Sequence, residues 1–181
     1  MTRLRLTVSL TGLALMLAGC GSQPAATAHV VIDGNLAKSY SSVAALLADS
    51  SAVVEVTTTD HRSVSYVGRI PYTVTTATVR RVLRGILTAS SIQVRQLGMP
   101  STTSLQVDNP QPLLSSGSTY VAFVTPFTFG DGRPTGQYVV VGAGQGLYSV
   151  HSGEVTQLDS ESPGLGGPLS VDELGGILDS R

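Results

Sequence analysis

The sequence predicts a mainly β domain with one short helix before the sheet and another near the C-terminus. Three observations carry that reading. Charged residues make up only 13% of the 181-residue chain, while Thr, Ser, Val and Gly recur throughout, a mixture that favours strands and turns over helices. The runs 52–59 and 72–83 are dense in β-branched residues and contain no Gly or Pro, as strands require. Beyond residue 30, apolar residues at helical spacing are confined to two short stretches, around 43–47 and 171–178, so helices are a minor component.

Taken in order, Val30-Val31-Ile32 before Asp33-Gly34 reads as a short strand and turn. Ser41 or Ser42 can cap a helix over 42–49, in which Val43, Leu46 and Leu47 form an apolar stripe. That helix has no basic face, so it is expected to pack on the sheet and not on a membrane. The first two long strands follow at 52–59 and 72–83. In the second the apolar phase moves from Tyr72 and Val74 to Val79 and Val82, and a phase shift in a period-two element predicts a bulge. Residues 92–97 give the third strand. The fourth, 118–125, puts Tyr120, Ala122 and Val124 on one face and Val121 and Phe123 on the other. A fifth spans 137–142, and 147–150 with 155–158 form a hairpin around Ser152-Gly153. Because neither face of 121–124 or 139–141 is polar, those strands are expected to be central and covered on both sides. Residues 98–112 and 126–136 read as long loops. The breaker-rich stretch 162–168 is a linker, and Ser170 with Glu173 forms a capping box for a C-terminal helix weakened by Gly175 and Gly176.

The N-terminus carries an address. Arg3 and Arg5 precede an apolar run over Leu6–Met16 and the small-residue exit Leu17-Ala18-Gly19-Cys20, the layout of an export signal. Leu-Ala-Gly-Cys resembles the lipobox of bacterial lipoproteins in all four positions. The resemblance implies that residues 1–19 are a cleaved signal peptide and that Cys20 becomes a diacylglyceryl, N-acylated first residue holding the chain on the extracytoplasmic side of the cell membrane. The apolar run is short of the ~20 residues needed to span a bilayer. A conventional cut after Ala26-Thr27-Ala28, leaving a soluble chain from His29, is the alternative. Residues 20–29 are then a tether, 30–160 the β-rich domain, and 161–181 the linker and terminal helix. Cys20 is the one cysteine of the chain, so no intrachain disulfide is possible.

The succession of a Val-rich strand, a long strand ending in Arg84-Gly85, a third strand and a Tyr-containing strand resembles OB-like barrels, including the netrin-like domain of the tissue inhibitors of metalloproteinases. It covers 52–85 and 92–150 and implies an OB-like or small open β-barrel. The inhibitors' metal-ligating N-terminal Cys has no counterpart here, because Cys20 is expected to be acylated, so inhibition is not implied for any residue.

Chemical motifs are few. Val139-Val140-Val141-Gly142-Ala143-Gly144-Gln145-Gly146 departs from the dinucleotide fingerprint at Leu147 and is followed by a strand pattern, so a turn joining two strands is expected and no cofactor. His29, His61 and His151 have no second ligand at a metal-motif spacing, so no metal is expected. Neither G-x-S-x-G nor S-x-x-K occurs, and no catalytic residue is assigned. Arg80 and Arg84 would share a strand face and meet an anion; alternatively they form a solvated rim that discourages edge pairing. Phe127, Phe129 and Tyr138, with Tyr148, could line a ligand groove, or serve packing alone. A net charge of −1, more negative once Arg3 and Arg5 are cleaved, argues against nucleic acid. The expectation is a lipid-anchored, noncatalytic binding or envelope-associated module whose partner is an envelope protein or small ligand. The alternative is an enzyme or inhibitor with a site formed by loops 98–112 and 126–136.

Overall fold

A computed structural model describes residues 30–33, 38–68, 70–100, 105–108, 112–158, 162–165, 167 and 169–180. The expected signal peptide, Cys20 and the tether 20–29 lie outside the described residues.

The protein is mainly β with two short helices, as the composition requires. The strands are β1 (Val30–Asp33), β2 (Ala52–Val67), β3 (Ile70–Gly85), β4 (Ser91–Leu97), β5 (Leu105–Asp108), β6 (Thr119–Thr128), β7 (Pro134–Val140), β8 (Leu147–His151), β9 (Glu154–Gln157) and β10 (Leu169–Ser170). Helix α1 spans Val43–Ala48 and α2 spans Val171–Asp179. Eight strands form one sheet in the order β10-β9-β8-β6-β2-β3-β4-β7, and β1 pairs in parallel with β5 in a separate two-stranded sheet. Strand β6 also pairs with β7, so the hydrogen-bonded path β2-β3-β4-β7-β6 comes back to β2. All of these pairs are antiparallel except β4 with β7.

The central strands are apolar on both faces because two cores press on them. On one side Val53, Leu83, Val121, Phe123 and Tyr148 pack with Leu46 of α1 and Val171, Leu174 and Leu178 of α2. On the other, Val54, Val56, Ala77, Ile92, Val94, Tyr120, Ala122 and Val124 gather around Leu114 and Leu147. The alternation read from 118–125 is therefore two buried stripes on one strand. Ser42 accepts from the Ala45 amide at 3.2 Å to start α1. The capping box starts α2: Glu173 N donates to Ser170 Oγ at 3.2 Å, and Ser170 N donates to Glu173 Oε2 at 2.8 Å. The Ser170 amide and the Ser170 hydroxyl, which donates to the same Oε2 at 2.9 Å, hold the Glu173 carboxyl below its usual range.

Four expectations are corrected. Strand β2 runs on to Val67 where the sequence suggested an end at 59. Its register jumps from Thr58↔Ala77 to Arg62↔Thr75, so Thr59, Asp60 and His61 face Thr76 alone. That bulge, closed by Thr59 Oγ1 donating to Thr76 O at 3.0 Å, breaks the alternation a strand displays, and beyond it the arm is largely exposed, Val64, Tyr66 and Val67 included. The loop 98–112 contains β5. The loop 126–136 shrinks to the connection 129–133, since β6 reaches Thr128 and β7 starts at Pro134; Phe129 N donates to Arg133 O at 3.1 Å across it. Finally, β3 holds not one bulge but two near its end, with Val53 and Val54 opposing Arg84 and Val82, and Glu55 and Val56 opposing Arg81 and Val79. They break the alternation that would give Arg80 and Arg84 a common face. The glycine-rich stretch is a turn over 141–146, with Gly142 and Ala143 at φ 64° and 55°.

Candidate functional site

The chemistry-bearing face lies on β3, β4 and β7, on the side opposite Val94 and Ala77. Register decides this. Val74 pairs with Arg95 and Arg95 with Val139, and paired residues share a face while sequence neighbours alternate. Tyr72 sits two residues before Val74 on that face, and Ser65 of β2 pairs with Tyr72.

Arg95 is the centre of this face, and it is only 6% exposed. Its guanidinium carbon lies 4.1 Å from the ring centre of Tyr72 and 4.9 Å from that of Phe127. Nη1 donates to Ser65 Oγ and to Gln137 Oε1, each at 3.3 Å. Nε is buried without a hydrogen-bond partner, and none of the ion pairs among the described residues involves Arg95. Burial pushes its pKa down, opposed by Tyr72, yet a guanidinium stays charged in water-facing proteins. A buried cation without a carboxylate is costly. The two rings offset part of that cost, because a cation over an aromatic face is worth about 0.5–2 kcal/mol.

Phe127 and Phe129 are brought together, edge to face with ring centres 5.6 Å apart. Phe129 is 43% exposed and Arg133 lies 5.9 Å from its ring. Arg133 Nε in turn pairs with Asp131 at 2.6 Å, so the rim charge is balanced locally. The face thus offers a buried positive group and an exposed ring side by side, arranged by strands β2, β3, β4, β6 and β7.

Other expected site residues lie elsewhere. Tyr138 pairs with Val94 and packs on the core beneath it, on the other side of β7 from Gln137. Tyr148 is fully buried, donates to Pro163 O at 2.9 Å, and has its pKa pushed up to about 12 by burial. Arg80 is exposed and makes no ion pair among the described residues. Arg84 Nη1 donates to Leu178 O at 2.6 Å, and Arg81 pairs with Glu55 at 3.4 Å and with Asp172. These two arginines hold α2 against β3. His61 and His151 are exposed, and no group of three or more metal-ligating side chains occurs among the described residues.

Arg95 was not singled out by its sequence context. In Ile92-Gln93-Val94-Arg95-Gln96-Leu97 it alternates with Val94 and reads as one more solvated side chain. The available signal was a lone Arg in the interior of an expected strand.

A cavity of about 250 Å³ lies between α1 and α2, lined by Val43, Leu165, Leu174 and Ile177 with Ser41 and Ser42. It is below the ~300–1,000 Å³ of most small-molecule sites.

Comparison with known proteins gives no match: no family model, curated protein or solved structure is significantly similar to this chain.

Proposed function

We propose that this protein is a noncatalytic binding module on an OB-like barrel, held by acylated Cys20 on the extracytoplasmic side of the cell membrane, with an envelope-associated ligand on the Arg95 face. The pairing path supports the barrel. In chain order β2, β3, β4, β6 and β7 are first to fifth, and the path runs first-second-third-fifth-fourth and back to the first. In OB-like barrels the second and third strands, with the first–second and fourth–fifth connections, carry the ligand. Tyr72 and Arg95 lie on the corresponding strands, and Phe129 and Arg133 on the corresponding fourth–fifth connection.

The observation that carries the reading is Arg95. A fold selected for stability alone gains little from an unpaired guanidinium beneath two rings, whereas a binding face gains a fixed charge in a low-dielectric setting. The lipobox supports the placement, since two or more acyl chains hold a protein firmly at a bilayer.

Two experiments test this. Mass spectrometry of the membrane-extracted chain is expected to show diacylglyceryl on Cys20, and Cys20→Ser is expected to release the protein from envelopes; an unmodified chain starting at His29 sinks the anchor. A photoreactive residue replacing Phe129 on intact cells is expected to capture a partner that the same residue at exposed Glu154 does not. Equal capture from both positions removes the binding face.

A further inference from the structure

We infer that the Arg95 site takes an oxyanion, a carboxylate or a phosphate, in two-pronged fashion along the guanidinium edge formed by Nε and Nη2. This rests on the binding face proposed above and names the chemistry of its ligand.

The argument is one of donors left over. A guanidinium carries five N–H donors in a fixed plane. The two on Nη1 are used, by Ser65 Oγ and Gln137 Oε1. Nε has no acceptor, and Nη2 makes no hydrogen bond among the described residues. The free donors are not scattered: Nε–H and one Nη2–H run parallel along a single edge, the edge whose spacing matches two oxygens of one carboxylate or phosphate. Ser65 and Gln137 fix the opposite side of the group, and Tyr72 and Phe127 lie against it, so the plane of the guanidinium is set before a ligand arrives.

Charge points the same way. Asp131 already neutralises Arg133 at the rim, and no ion pair among the described residues places a carboxylate against Arg95. The ligand supplies the missing negative charge. Nε is shielded from solvent in this structure, so an oxygen reaches Nη2 first, and occupation of the whole edge follows a side-chain adjustment. The exposed ring of Phe129 beside Phe127 gives an apolar platform for the part of the ligand that carries the anion.

The test is an NMR titration of the full acylated chain in nanodiscs of neutral lipid, following the Arg95 Nε–H resonance. Benzoate supplies the carboxylate, inorganic phosphate the free phosphate, and nanodiscs containing phosphatidylglycerol the headgroup phosphate. A saturable shift of the Nε–H signal by any of these is expected, and the active probe identifies the source. Arg95→Lys keeps the charge but loses the fork, and is expected to weaken binding of that probe about tenfold. An Nε–H signal that none of the three moves overturns the oxyanion site. Capture at position 129 that persists unchanged in Arg95→Lys also overturns it, while leaving the binding face standing.

Discussion

Replacing Arg95 by Met separates a residue kept for binding from one kept for folding. The favourable side of Arg95 is small. Its two hydrogen bonds go to neutral acceptors at 3.3 Å, at the long end of the usual range, and are worth about 1 kcal/mol each at most. Its two ring contacts add about 1 kcal/mol each. Against those ~4 kcal/mol stand an unsatisfied buried Nε, costing about 1–3 kcal/mol, and desolvation of the charge, on the order of several kcal/mol. The terms cancel or leave a deficit. Met has a similar unbranched stem and a soft sulfur that packs well against rings, so Arg95→Met is expected to lie within about 1 kcal/mol of the parent or to be more stable. The chain has no Trp, so urea unfolding followed by far-UV circular dichroism is the suitable assay, with an unchanged m value showing that the same surface unfolds. A loss of about 3–5 kcal/mol, the penalty of breaking a buried charge network, would show Arg95 to be a structural keystone and refute the reasoning that assigns it to binding.

Other expectations follow from single contacts. Phe123, fully buried with its ring centre 5.9 Å from that of Tyr148, is expected to cost about 3–5 kcal/mol on replacement by Ala, read by the same urea transition. Gly85 has φ 80° and an added Cβ would strike Ser51 O, so Gly85→Ala is expected to cost more than about 1 kcal/mol. Ser170→Ala removes the cap of α2 and is expected to cost about 1 kcal/mol. Glu173 adds a pH dependence: its folded pKa lies below its unfolded value, so its contribution is present above the unfolded value of about 4.3 and lost as pH falls through the folded one. Glu173→Gln is therefore expected to flatten the acid limb of the stability profile below that unfolded value.

The strands that cross the centre of the sheet were legible because two cores imprint them. Residues 52–54 and 120–124 are apolar at consecutive positions, and the structure buries both faces. The hairpin at Ser152-Gly153 was legible because its turn needs two positive φ angles, 53° and 84°, which a small polar residue and Gly supply. The distal arm of β2 was not, since the three-residue bulge at 59–61 separates the short Val64, Tyr66 alternation from the strand that precedes it. β5 was not, because its polar surroundings and flanking prolines resemble a loop. The arginines were half legible: the cluster near Gly85 stood out, yet the bulges that send Arg81 and Arg84 to α2 depend on register. The candidate site was least legible. Phe127 and Phe129 were anticipated together, but the partners of Arg95 come from 65, 72, 127 and 137, on four different strands, and only the folded sheet makes them neighbours.

The binding face is tested most directly by an amide chemical-shift map of the full chain in nanodiscs, taken while an envelope extract is added. Perturbations centred on Tyr72, Arg95, Phe127, Phe129 and Gln137 are the expected result. A map centred instead on the cavity between α1 and α2, or no saturable change on the β3–β4–β7 face, contradicts it.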